Sequence, residues 1–280
     1  MRIFAFADEA CPQLEGQIAA MRRNGLQGLE VRGVDGTNVS DISLEKAEQV
    51  RKMLDDAGLI TWSIGSPIGK INIETDDFEA HLEKFKHTLK IAEILGAQNI
   101  RLFSFYMPKD KDPALYRDEV IRRLKIFVEL AKGANIDLCH ENEKGIYGDV
   151  AVRCKELHDA IPELKGIFDP ANFVQCGQDT LEAWSMLKGC IKYMHIKDSL
   201  ADGSVVPAGK GAGNVPEIVG EFIKQGGNEV TMEPHLTVFA GLQSLEQEGE
   251  TSQIGRYAYP SSDAAFDAAC DAMKAILNQL

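Results

Sequence analysis

The stretch that decides the fold is residues 136–149, Ile136-Asp-Leu-Cys-His140-Glu141-Asn142-Glu143-Lys-Gly145-Ile-Tyr-Gly148-Asp149. An apolar run short enough for a buried strand ends abruptly in His140, Glu141, Asn142 and Glu143, ahead of turn signals at Gly145 and Gly148. A carboxylate beside a core is costly unless something pairs with it, and a bound cation is one such partner. Three later strand-like stretches end in the same way: Gly166-Ile-Phe-Asp169, Tyr193-Met-His195 and Glu229-Val-Thr-Met-Glu233. Strand ends therefore offer Glu, Asp, His and Glu in turn.

Outward from this stretch, strand-like and helix-like segments alternate along the whole chain. Strands are expected at residues 3–7, 28–32, 59–64, 99–105, from 136, and at 165–168, 192–196 and 229–232. Helices are expected at 13–24, 43–57, 76–95, 113–132, 150–161, 179–187, 216–225 and 262–277, several stopped by a glycine such as Gly25, Gly58 or Gly96. Eight strand–helix units are the number that closes a single (β/α)8 TIM barrel, here one domain over residues 1–280. An open doubly wound sheet would call for a Gly-rich phosphate turn after the first strand, and Asp8-Glu9-Ala10-Cys11-Pro12 is nothing like one. Residues 236–260, rich in Gly, Gln, Ser and Glu, form a long loop before the last helix, in the position of a lid or an oligomer contact.

Composition sets the outer bounds. A net charge of −13 argues against a surface that tracks nucleic-acid phosphates. The six cysteines show no C-x-x-C and no regular spacing, as expected of reduced thiols in a cytoplasmic protein. No long apolar run indicates export or membrane insertion.

In such a barrel all strand C-termini face one rim, where chemistry sits. Glu141, Asp169, His195 and Glu233 are 28, 26 and 38 residues apart, and each interval holds one strand–helix unit, so the four converge. Carboxylates with one imidazole suit a divalent ion, with Mn2+ favoured and Mg2+, Co2+ or Zn2+ compatible.

At these residues the chain resembles the xylose isomerase-like sugar-phosphate isomerase/epimerase family of metal-dependent barrels. The likeness rests on Glu141-Asn142, Phe168-Asp169-Pro170-Ala171-Asn172, His195-Ile196-Lys197-Asp198, Met232-Glu233-Pro234 and the Gly-rich Pro207-Ala208-Gly209-Lys210-Gly211. The resemblance implies an enzyme, with Glu141, Asp169, His195 and Glu233 as metal ligands and Glu141 and Glu233 as the proton-transfer pair. It implies a metal-dependent isomerase or epimerase of a sugar, a sugar phosphate or a polyol-derived carbonyl compound, working by carboxylate proton transfer through a metal-stabilised ene-diolate. A lyase or dehydratase acting on a keto-sugar would use the same site. An apurinic-site endonuclease and a non-catalytic sugar-binding barrel are further alternatives, the former disfavoured by charge and by too few histidines at strand ends. His235 and Leu236 stand where many members carry an arginine, which argues against a phosphate on the substrate.

Other readings compete at single residues. Glu141 could cap the helix near Asp149, Asp169 could simply begin an Asp-Pro turn, and Glu143, on the same strand face, could replace Glu141. His140 should face away from Glu141, in packing or in a hydrogen bond to a ligand. Arg32, Ser66, Lys70, Arg101, Ser104, Lys197, Lys210 and His235 are candidates for substrate contact, each with rim solvation or strand pairing as the alternative. Trp62 and Trp184 read as packing. The expected partner is a small sugar or sugar derivative, with no nucleic acid and no membrane; a homo-oligomer is compatible.

Overall fold

Eight parallel strands close into a barrel in the computed structural model, which describes residues 1–239, 242 and 253–280. The barrel strands are β1 (Arg2–Ala5), β2 (Gly28–Val31), β3 (Ile60–Ile64), β4 (Asn99–Leu102), β5 (Asp137–Glu141), β6 (Lys165–Phe168), β7 (Ile191–Ile196) and β8 (Glu229–Met232). Each pairs with its neighbour in chain order, and β8 returns to β1 from Arg2 opposite Glu229 to Ala5 opposite Met232. Around them lie α1 (Leu14–Asn24), α2 (Leu44–Ala57), α3 (Phe78–Leu95), α4 (Arg117–Ala131), α5 (Ala151–Ala160), α6 (Pro170–Gln175), α7 (Thr180–Leu187), α8 (Val215–Lys224) and α9 (Ser262–Leu277).

The helix limits follow from local chemistry. Ser43, Asp77, Asp179 and Ser261 each accept a first-turn backbone N–H, at 3.1, 3.1, 2.8 and 3.1 Å, and so satisfy donors that a helix start leaves free. Gly25, Gly58 and Gly96 end α1, α2 and α3 in the left-handed conformation, which costs glycine little.

Strand alternation builds the interior in layers. Phe4, Trp62, Cys139, Ile167 and Tyr193 form a separate apolar cluster inside the barrel, in which Phe4 and Trp62 stack at 4.9 Å. Two residues further along their strands stand Glu141, Asp169 and His195, so this cluster floors the polar layer above it. A register shift between β2 and β3 sets Leu29 opposite Thr61 but Glu30 opposite Ser63. That shift lets Trp62 and Ser63, adjacent in sequence, both serve the interior.

The structure adds elements that the periodicity does not announce. Residues Gly33–Val34 with Thr37–Asn38, and Asp198–Ser199 with Val205–Val206, form two-residue antiparallel pairs beyond β2 and β7. The expected 113–132 helix begins as a 3-10 turn at Pro113–Tyr116, and the first and fourth strands end earlier than expected, at Ala5 and Leu102. Of the expected 236–260 loop, residues 240–241 and 243–252 lie outside the described residues. Leu236 and Phe239, at its start, are buried.

Candidate metal centre and active site

Glu141, Asp169, His195 and Glu233, from the ends of four consecutive strands, each bring one ligand atom to within 4.8 Å of all the others, and all four are buried. His195 Nδ1 lies 2.8 Å from Glu141 Oε1 and 3.3 Å from Glu233 Oε2. Asp169 divides its carboxylate between two tasks. Oδ1 caps α6 by accepting the Asn172 N–H at 2.9 Å, while buried Oδ2 makes no hydrogen bond and meets only the Lys197 ammonium at 2.9 Å. The Asn142 side chain braces the same turn, exchanging hydrogen bonds with the Asp169 backbone at 2.9 and 3.0 Å.

Cations interleave with these acids. Arg101 Nη1 stands 3.1 Å from Glu141 Oε2 and 3.5 Å from Glu233 Oε1, and Lys197 Nζ lies 3.2 Å from Glu233 Oε2. Arg32 is held by both Asp8 oxygens at 2.9 and 3.0 Å, reaches Glu9 at 3.1 Å and Glu233 at 3.3 Å, and lies between the rings of Phe6 and Phe239. Such stacking and bidentate pairing are what a planar guanidinium does and an ammonium cannot.

The donor set fits a divalent ion. Apart from Asp198, which the Gly-rich loop wraps, six buried carboxylates, Asp8, Glu9, Glu30, Glu141, Asp169 and Glu233, meet three buried permanent cations, Arg32, Arg101 and Lys197. Burial, outweighing the opposing pull of Arg32, pushes the Glu9 carboxyl up to about 8. An excess of buried carboxylates suits a divalent ion, and Asp169 Oδ2 is the tetrad atom without a hydrogen bond. Without that ion the protein's own groups compensate. Despite burial, Glu141 and Glu30 hold the His195 imidazolium well above its ordinary range, and Asp169 and Glu233 do the same for Lys197. Burial, with Glu233 and Glu141 adding to it against Lys197, raises Asp169 to about 7.

Glu9, Glu233 and His235 form a second group of ligand-type atoms sharing Glu233. Its cation is already present, since Arg32 lies 3.1, 3.3 and 3.5 Å from the three. Burial keeps His235 well below its ordinary range, so its Nε2 accepts from Arg32.

The remaining candidates separate by location. Glu143 lies outside the four-residue cluster and pairs with Lys70 at 3.1 Å. The Ser66 hydroxyl is spent on the backbone, donating to Arg101 O and accepting from Ile68 N–H. His140 turns outward, with Nε2 on the Ser104 hydroxyl at 3.0 Å and its ring 6.0 Å from His158, which is packing rather than ligand support. Trp62 and Trp184 are buried in packing, as read. Lys210 is exposed on the Gly-rich loop. The N–H groups of Gly209, Gly211 and Gly213 all donate to the Asp198 carboxylate at 2.9 Å, and a Cβ at Gly211 would come within 2.2 Å of Asp198 Oδ1. The loop's glycines therefore exist to wrap Asp198 and leave no cradle for a phosphate.

Sequence reasoning missed Glu30, Asp8 and Glu9. Glu30 precedes Arg32 by two on the same strand face, the period that could have found it. Asp8 and Glu9 follow β1 directly, at the rim.

A closed (β/α)8 barrel carries at its rim a buried Glu-Asp-His-Glu set that could hold a divalent ion. Residues 18–248 match the model of the xylose isomerase-like TIM barrel, and the chain belongs to that family. Its fold is similar to that of the probable 3-DHS dehydratase involved in petrobactin synthesis from Bacillus anthracis, at 19% identity and a TM-score of 0.74, with 98% of this chain and 99% of that one covered. The IOLI protein with a bound zinc atom superposes with a TM-score of 0.76 at 13% identity, covering 100% and 99%. An L-ribulose 3-epimerase does so with a TM-score of 0.75 at 17% identity, covering 100% and 94%. No curated protein matches the sequence. No helix among the described residues is long and apolar enough to cross a membrane.

Proposed function

We propose that the protein is a metal-dependent isomerase or epimerase of an uncharged keto-sugar, working by carboxylate proton transfer at the carbon next to the carbonyl. The observation that carries this reading is the placement of Glu141 and Glu233. They end β5 and β8, at opposite ends of the arc that includes Asp169 and His195, yet both reach the same imidazole nitrogen, at 2.8 and 3.3 Å. Two carboxylates on either side of one bound carbon can remove a proton from one face and return it to the other.

Glu141, Asp169, His195 and Glu233 would hold the divalent ion, Mn2+ being favoured. When bound, that ion supplies Lewis acidity, polarising a carbonyl and offsetting the negative charge that develops as the adjacent C–H bond breaks. Arg101, against both glutamates, keeps their oxygens oriented. Lys197, Lys70 and His235 are the residues we assign to the substrate's hydroxyls; Arg32 braces the wall, and Ser66 and Lys210 act through the loops they belong to.

An uncharged substrate follows from pairing. Arg32, Arg101 and Lys197 each face carboxylates of the chain, and the Gly-rich loop spends its N–H groups on Asp198. A phosphate would find none of these free. Six free cysteines support a reducing, cytoplasmic setting.

A panel of ketoses incubated with the protein and Mn2+ in deuterated water tests this. The expected product keeps its mass apart from deuterium gained next to the carbonyl. Loss of water would move the assignment to a dehydratase, a reaction named for one of the similar structures. Binding of ketoses without exchange would reduce the protein to a sugar-binding barrel.

A further inference from the structure

Glu30 is a buried carboxylate to which proton transfer gives no task. It lies on β2, across the barrel from the tetrad strands, with 1% of its surface exposed. A carboxylate in such a place is costly unless its oxygens are satisfied, and an amide or aliphatic side chain would be cheaper. Both oxygens are occupied. Oε1 accepts from the Tyr193 hydroxyl at 3.0 Å and the Ser63 hydroxyl at 3.2 Å; Oε2 lies 3.1 Å from His195 Nε2. The β2–β3 register shift that sets Ser63 opposite Glu30 supplies one of these donors. The carboxylate is therefore fixed from two sides before it meets the imidazole.

His195 has two distinguishable nitrogens. Nδ1 faces Glu141 and Glu233, while Nε2 faces Glu30 alone. We infer that Glu30 is a positioning residue for the cation centre: by accepting the Nε2 proton it selects the tautomer whose Nδ1 lone pair faces Glu141, Asp169 and Glu233. A carboxylate behind a ligating imidazole also raises the ring's basicity and with it cation affinity. Tyr193 and Ser63 in turn hold Glu30, so the chain of support runs from the apolar floor, of which Tyr193 is part, up to the ligand. The inference rests on the tetrad binding a divalent ion, as proposed above.

Two measurements test it without substrate. Nitrogen-15 NMR of the histidine-labelled wild type loaded with cadmium-113 should show the metal coupled to Nδ1 of His195 and a proton retained on Nε2. Calorimetric titration with Mn2+ should find Glu30→Gln, which keeps the shape and removes the charge, weaker by about 10–100-fold. A barrel-bracing role alone would alter the melting temperature of the metal-free protein and leave Mn2+ affinity unchanged. Coupling at Nε2, or Mn2+ affinity in Glu30→Gln equal to that of the wild type, overturns the inference while leaving the metal reading intact. A wild type that binds neither cadmium nor Mn2+ overturns both.

Discussion

Lys197 Nζ lies 2.9 Å from Asp169 Oδ2, the one tetrad oxygen that makes no hydrogen bond, and 3.2 Å from Glu233 Oε2. The ammonium thus stands among the same oxygens a divalent ion would use. Lys197→Met should therefore act differently with and without metal. Removing one partner from a buried pair costs about 3–5 kcal/mol. For a chain of this size that is a fall in Tm on the order of 10 °C. Without metal the variant should show that fall by calorimetry, and saturating Mn2+ should recover much of it. An equal deficit in both conditions would mean that Lys197 and the ion do not share a role.

One divalent ion per chain is expected after dialysis against Mn2+ and desalting, measured by elemental analysis. His195→Ala and Asp169→Asn should each retain less. Chelation should lower the Tm of the wild type at neutral pH, because a ligand bound only to the folded state at about 100 times its Kd contributes about 2.7 kcal/mol. An unchanged melting curve with metal loss confirmed would argue against a formed site.

The metal-free protein should lose stability as pH rises from about 6.5 to 8. Glu9 and Asp169 have folded values near 8 and 7, against 4.5 and 3.8 for the free groups, so the folded state binds more protons across that window. Stability falls with pH wherever the folded state binds more protons. His195, raised well above its ordinary value, acts in the same sense, whereas burial lowers His81, His140, His158 and His235, whose opposite contribution is complete by about the free value of 6.5. Glu30 and Glu233 are lowered, so their opposite contribution is complete at more acid pH. With Mn2+ bound the slope should flatten, as measured by melting at a series of pH values. A metal-free protein that grows more stable between pH 6.5 and 8 would contradict the raised proton affinities of Glu9, Asp169 and His195.

Most of this architecture was legible because its causes are local. Ser43 and Asp179 cap the helices they precede, Gly25 and Gly58 stop the helices before them, and period-two patterns mark the strands. The tetrad was legible for the same reason, since each member is the polar residue at which a buried strand ends. Glu30 was not. Its partner His195 is 165 residues away, on a strand that does not neighbour β2, and only closure of the barrel brings the two together. Alpha-helix α6 escaped notice because Asp169-Pro170 reads as a turn; the structure makes it a turn and a helix start at once, with Asp169 as the cap. Asp8 and Glu9 served in the sequence only to exclude a phosphate-binding turn, and their partner Arg32 comes from the next strand.

The decisive mutational prediction concerns Glu141 and Glu233 as a pair. Their contacts differ. Glu141 meets His195 with one oxygen and Arg101 with the other, whereas Glu233 is bracketed by Arg32, Arg101, His195 and Lys197. Despite burial, Lys197 and His195 hold the Glu233 carboxyl well below its ordinary range. Both are tied to neighbours by charge, so a glutamine at either site should weaken Mn2+ binding as well as proton transfer, and assays must be run at saturating metal. Loss of a positioned general base costs about 10²- to 10⁴-fold in rate. Glu141→Gln and Glu233→Gln should each fold and lose turnover by at least that factor on a ketose that the wild type converts. An epimerisation that uses both faces of the carbon stops in either variant. A single-base isomerisation would instead depend on one glutamate, leaving the other variant with near-normal turnover; deuterium exchange alone does not suffice, because the intact base of a two-base epimerase still exchanges the proton on its own face. Near-normal turnover in one variant would keep the metal centre, remove that glutamate from proton transfer and assign the reaction to aldose–ketose isomerisation.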